Sequence, residues 1–300
     1  MVGASTAGLE QKYHPTGEEL KNLENALQGT TGIIAFDTWV EELVNTGYLH
    51  NHARMWFASI WCFTLKLPWY RGAQFFYENL LDGDPAANTL SWRWVVGLHT
   101  KGKTYQARQS NIETYTEGRF SPEDLSGTSW VPDDSAENNV CYEILPLPTQ
   151  PESGDHLIVW PDDWSIDVYF KDFKPQSVAM IHPHWESPKR QQHVKDYREA
   201  AFYATLRRFQ NLGWNCSIIQ NGNDLQSYLT VNEAQQISWM KPFVGEGRDL
   251  LDQLQPLFDG HRTRELRRAW DDFFFPKAKK GFFTLKKSIP KAVANLDRYF

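Results

Sequence analysis

The sequence predicts a mainly α-helical domain followed by a small α/β region. Three observations carry this. From about residue 16 to residue 118, apolar positions recur at helical spacing and are broken by short turns. Further on, "HLIVW", "SVAMIHPH" and "CSIIQNG" are short apolar runs of strand length. The last two flank a long helical pattern, "KDYREAAFYATLRRFQNLGW", which is the alternation of a parallel α/β unit.

The elements can be taken in order. "TGEELKNLENALQ" predicts a first helix, with Thr16 as N-cap and Glu19 completing a capping box. "GTTGIIAFDTWVEELVNTGYL" predicts a second, ending near Gly47, and "HNHARMWFASIWCFTLK" a third that stops before Pro68. A fourth fits "WYRGAQFFYENLL". The fifth begins at Asp84, whose carboxylate can cap free amides, with Pro85 suited to the first helical position. After Gly118 the chain turns rich in Pro, Ser, Asp and Glu, which predicts an extended linker. Three or four strands can be counted beyond it, and "TRELRRAWDDFFFPKAKKGFFTLKKSIPK" reads as an amphipathic helix with a basic, Phe-rich end. The expected segments are 1–28 (N-terminal helical segment), 29–120 (helical region), 121–155 (linker) and 156–300 (α/β region with a basic amphipathic tail).

Composition excludes several classes. The chain has 300 residues, 41% of them apolar, without an apolar run of membrane-spanning length. Its start lacks the pattern of a signal peptide, and three widely spaced cysteines argue against a disulfide framework and for the cytoplasm. A net charge of −6 repels phosphate on average, so nucleic-acid binding needs a local basic patch. One candidate lies between Pro85 and Ile112, where Arg93, Lys101, Lys103 and Arg108 occur without an acidic residue. The thirteen tryptophans stand out: most suit core packing, and a few could serve stacking or electron transfer. "IHPHW" lacks a third ligand near His182 and His184 and reads as a strand end, so no metal is expected. "FVGEGRDLL" lacks the GxGxxG spacing of a dinucleotide site.

The informative stretch is "LLDGDPAANTLSWRW", residues 80–94. Asp84, Asn88 and Trp92 are four apart and therefore share one helix face. A buried donor or acceptor left unpaired costs about 1–3 kcal/mol, so such a stripe needs partners. A neighbouring helix could supply them, because the third helix carries Asn51 and Arg54, and an arginine facing Asp82 or Asp84 would neutralise it. A bound, flat, polar molecule could equally supply them.

"TGYLHNHARM" (46–55) and "LLDGDPAANTLSWRW" resemble two signature segments of the photolyase/cryptochrome family, TGW/YMHNRxRM and LIDGDxAxNxxxWQW, in the right order and with "LPW" (67–69) between them. "TGIIAFDTWVEEL" (31–43) resembles a third segment in degenerate form. The likeness covers about residues 29 to 120, and a weaker one is to bacterial photolyase-like forms with a C-terminal extension. It implies a noncovalent FAD in an all-helical domain. By the resemblance, Asn51, Arg54, Asp82, Asp84 and Asn88 are cofactor-binding: Arg54 and Asp82 as an ion pair beside the flavin ring, Asp84 accepting from its N3–H, Asn88 facing N5. Asparagine at that last position is typical of photolyases, aspartate of plant cryptochromes and cysteine of animal ones. Trp92 and Trp69 fall on the electron-transfer chain, and Tyr48, Met55 and Trp94 on the substrate cavity. The implied activity is that of a deoxyribodipyrimidine photolyase, a carbon–carbon lyase: blue-light-driven repair of pyrimidine dimers flipped out of DNA, by electron transfer from reduced FAD. The alternatives are a cryptochrome-type photoreceptor or a non-catalytic half of a split flavoprotein. Residues 1–28 match none of the family's phosphate-gripping TSxLSP segment, so a second chain completing the flavin pocket is a further expectation.

Overall fold

The computed structural model describes residues 16–98, 103–123, 125, 145–147, 149–185, 189–278 and 282–296. Lys101, most of the expected linker and part of the basic tail lie outside the described residues. The chain divides into two compact units. One comprises the described residues within Met1–Asn138 together with those of Pro188–Tyr197, and the other those within Asn139–Ser187 and Arg198–Phe300.

The first unit is helical. α1 (Gly17–Gln28) opens on the expected capping box, Thr16 Oγ1 accepting from the Glu19 amide and the Glu19 carboxylate accepting from the Thr16 amide. α2 (Ile34–Thr46) starts where the Asp37 carboxylate gathers the amides of Thr31 and Gly32. It stops at Gly47, whose φ of 68° suits a residue without a side chain. α3 (Asn51–Ser59) does not continue as regular helix to Pro68: it widens into a π-helical turn over Ile60–Thr64. α4 (Trp69–Asn79) and α5 (Pro85–Val95) come next, the latter capped by Asp84 as expected. A short α6 (Gln109–Tyr115), not expected from the sequence, brings Asn111 to the buried indole of Trp56, which donates to it at 2.9 Å. The core is aromatic, with Phe36, Phe57, Trp61 and Trp92 among its fully buried side chains.

The second unit is a five-stranded, all-parallel sheet of order β3-β2-β1-β4-β5. The strands are β1 (His156–Val159), β2 (Ser177–Ile181), β3 (Cys216–Ile219), β4 (Gln236–Met240) and β5 (Arg262–Leu266). Strand order reverses at β1, as in doubly wound sheets. Helices α7 (Ile166–Tyr169), α8 (Gln192–Asn211, of which residues up to Tyr197 belong to the first unit), α9 (Gly222–Val231), α10 (Glu246–Leu254) and α11 (Ala269–Phe274) follow in chain order between and after the strands, then α12 (Phe282–Lys286) and α13 (Ile289–Val293). Apolar cores cover both faces, one around Ile158, Trp160 and Trp239, the other around Leu157, Met180 and Phe202.

Two expectations need correction. The sheet has five strands, not three or four. β4 escaped notice because Ser238 interrupts its apolar run, although that serine is fully buried. "TRELRRAW" is not one helix: Arg262–Leu266 is an edge strand, held by five parallel pairings with β4, and helix resumes only at Ala269. Arg262 suits an exposed edge, which charged side chains protect from further pairing, whereas Arg264 is largely covered. At the described end of the expected linker, Thr149 bridges Leu266 in parallel and its hydroxyl donates to the Glu265 carbonyl at 2.5 Å. His182 is buried at the end of β2, where its Nδ1 accepts from the His184 amide. Among the described residues, no helix is long and apolar enough to cross a membrane.

Candidate functional site

The expected stripe on α5 is graded from water to core. Asp84 is exposed, Asn88 half-buried and Trp92 buried, at 2% exposure. The stripe therefore does not bury all its polar groups, as the spacing alone implied. α5 runs inward against α4, so only its C-terminal part enters the core. Each polar member has its own reason to hold still. Asp84 Oδ1 accepts from the Ala87 amide at 2.6 Å as the N-cap, and Asn88 Nδ2 donates to the Ala73 carbonyl of α4 at 2.7 Å.

Trp92 is fixed by shape. A Cβ on Gly72 would come within 2.3 Å of the indole, so α4 and α5 can approach only because residue 72 has no side chain. The indole meets Phe76 edge-on at 5.0 Å between centroids and Trp61 at 6.2 Å. Trp69 begins α4, is also buried, and lies under the Arg93 guanidinium at 5.6 Å. Arg93, counted from sequence in a candidate basic patch, thus lies over an indole.

Beside this wall, Arg54 on α3 makes a fork with Asp82. Its Nη2 donates to both carboxylate oxygens at 3.1 and 3.0 Å, while its Nε donates to the Leu49 carbonyl at 2.8 Å. Asp82, and not Asp84, is the arginine's partner. The guanidinium also lies 5.7 Å from the centroid of the Tyr48 ring. The pair is open, the Asp82 side chain being 60% exposed. Tyr48 and Trp94 are half exposed, and Trp94 stacks on Tyr105 at 5.5 Å. Burial raises the Tyr105 hydroxyl above its ordinary pKa. Asn51 is exposed, its amide nitrogen 3.9 Å from the sulfur of the partly buried Met55. So the structure joins Tyr48, Arg54 and Asp82, and separately seats Asn88 and Trp92 on α4; it does not bring Asn51 to either aspartate.

The family profile described as "FAD binding domain of DNA photolyase" matches residues 4–152, reaching beyond the expected 29–120 on both sides. A deoxyribodipyrimidine photo-lyase of Streptomyces griseus is 35% identical over 105 residues, which is 35% of this chain and 22% of the relative. The Escherichia coli (strain K12) photo-lyase is 34% identical over 106 residues, again 35% and 22% of the two chains. Cryptochrome-1 of Arabidopsis thaliana is 28% identical over 123 residues, 41% of this chain and 18% of the relative. Residues 4–152 belong to the photolyase/cryptochrome family. No solved structure matches it. It spans about a fifth of the length of these relatives.

The cofactor of this photolyase-type domain is FAD. The residues present fit it. The Asp82 carboxylate is held by Arg54 from one side and is open on the other, Asp84 is exposed, and Asn88 lies between them and a buried indole. The polar edge of an isoalloxazine ring alternates N–H and C=O groups, and carboxylates beside amides can meet both kinds. Sequence reasoning missed Gly72 and Tyr105. The first had a signal, a glycine inside the helical run "YRGAQFF". The second had none, since it is fixed by a contact from beyond the end of α5.

Proposed function

We propose that this chain is an FAD-binding photolyase-like protein that repairs UV-induced pyrimidine dimers in DNA. The observation that carries the reading is the juxtaposition on α5 of an exposed Asp84, a half-buried Asn88 and a buried Trp92 beside the open Arg54–Asp82 pair. In this reading Arg54, Asp82, Asp84, Asn88 and Asn51 hold the flavin. Asparagine at position 88 favours repair chemistry over signalling. Bound reduced FAD supplies the light-excited electron. Trp92 and Trp69 serve as the electron relay of the protein itself; both are shielded from water, which limits side reactions of an oxidised indole. Tyr48, Met55 and Trp94 receive the flipped dimer, which must leave the base stack before it can react. Aromatic stacking contributes about 1–3 kcal/mol per base, and Trp94 is itself backed by Tyr105. Lys103 and Arg108 are exposed and suit phosphate contact. The buried thiol of Cys62, its pKa pushed up by desolvation, and a second free thiol, Cys216, suit a reducing cytoplasm.

The test is to irradiate the full chain, loaded with reduced FAD, with blue light in the presence of an oligonucleotide carrying one thymine dimer. Light-dependent loss of the dimer supports the reading. A flavin-bearing protein that leaves the dimer intact supports a cryptochrome-type photoreceptor instead. A second reading is favoured by the openness of the wall: Asn51, Asp82 and Asp84 are all exposed. In that reading another chain covers the wall and completes the flavin pocket, and the flavin band grows only when that chain is co-expressed.

A further inference from the structure

The carbonyls at the end of α4 are satisfied in an unusual way. A helix leaves its last four carbonyls without intrahelical partners, and a glycine turn or a local basic side chain commonly takes them. α4 has neither: its last turn has no basic residue, and it ends on Leu80 in extended conformation. The Phe76 carbonyl accepts from the Leu80 amide at 2.8 Å. The next three carbonyls are taken by a segment more than a hundred positions away. Arg190 Nη1 donates to Tyr77 at 2.8 Å, the Gln191 amide to Glu78 at 2.9 Å, and His193 Nε2 to Asn79 at 2.8 Å. Arg190 is 6% exposed and its guanidinium carbon lies over the Tyr77 ring, 3.6 Å from its centroid. A cation at a helix C-terminus is also favoured by the helix dipole.

Directly after α4 comes the loop that bears Asp82 and Asp84. Residues 190–193 press on it as well. A Cβ on Gly83 would lie 3.1 Å from Arg190 Nη1, and one on Gly47 would meet both Leu81, at 2.6 Å, and the His193 ring, at 3.2 Å. The Leu81 amide in turn donates to the Gly47 carbonyl at 3.0 Å. The cap, the loop and the turn after α2 thus form one knot, and Arg54 reaches Asp82 from the helix that begins four residues after Gly47.

We infer that residues 190–193 are a cap supplied from a distant part of the same chain that sets where Asp82 and Asp84 stand, with Arg190 as its principal positioning residue for the flavin. The inference rests on the flavin reading for its consequence but not for its geometry. The test measures amide hydrogen exchange in the full chain without flavin, then FAD binding by flavin fluorescence. Arg190→Ala speeds exchange at the Leu81 and Gly83 amides about ten-fold or more, leaves Ile158 in β1 unchanged, and weakens FAD binding in the same proportion. Arg190→Lys, which can still donate to the Tyr77 carbonyl, recovers most of both losses. If Arg190→Ala does not fold, His193→Ala carries the test through the Asn79 carbonyl and speeds exchange at Leu81. Unchanged exchange at Leu81 and Gly83, or an equal rise at Ile158, overturns the positioning role. A wild-type chain that shows the exchange effect in its variants yet binds no FAD overturns the flavin reading and leaves the cap standing.

Discussion

Each unit contains an arginine that grips an aspartate with a two-pronged contact, and the two differ in setting. Arg264 of the sheet unit donates to both Asp155 oxygens at 3.0 and 2.7 Å, and the side chains are 13% and 1% exposed. Arg54 of the helical unit grips Asp82 at 3.1 and 3.0 Å, with exposures of 25% and 60%. A buried pair of this kind is structural, because removing one partner strands a desolvated charge. An open pair adds little to folding. Its presence on a wall that also carries Asp84, Asn88 and Trp92 is better explained by what it offers to a ligand. Similar chemistry, in two settings, separates scaffold from site.

Substitutions can break the comparison or sharpen it, and their expected costs to folding fall in order. Asp155→Ala should cost about 3–5 kcal/mol in urea unfolding, since Arg264 stays buried and, among the described residues, keeps the exposed Glu152 as its acidic partner. A cost near zero would erase the contrast. Gly72→Ala should cost about 1–3 kcal/mol by forcing the Trp92 indole from α4, seen also as a shift in tryptophan fluorescence. Asp84→Ala removes the cap of α5 and should cost about 1 kcal/mol. Arg54→Ala should change folding least, by no more than about 1 kcal/mol, although it acts on a two-pronged ion pair.

Much of the helical unit was legible because its signals are local. Thr16 with Glu19, Gly47 after an apolar run, and Asp84 before Pro85 each fix a helix end within a few residues. The candidate site residues came from two long motifs; residue types left Arg54 facing either Asp82 or Asp84, and the resemblance pointed to Asp82, the partner it has in the structure. What could not be read was set by contacts distant in sequence. β5 is a strand because β4 lies beside it, not because "RTREL" alternates. Residues 190–193 look like the start of any helix, and their three carbonyl partners lie more than a hundred positions earlier. The grading of the α5 stripe was hidden as well, since spacing tells which residues share a face but not how deep each end of the helix goes.

The central claim is that the open wall of Arg54, Asp82, Asp84 and Asn88 exists to hold a flavin. An FAD titration of the full chain, read as the shift in the flavin absorption band, tests it most directly when wild type and Arg54→Ala are compared at matched folding stability. The wild type should show a saturable shift that the variant loses. A shift of the same size and midpoint in both proteins would contradict it.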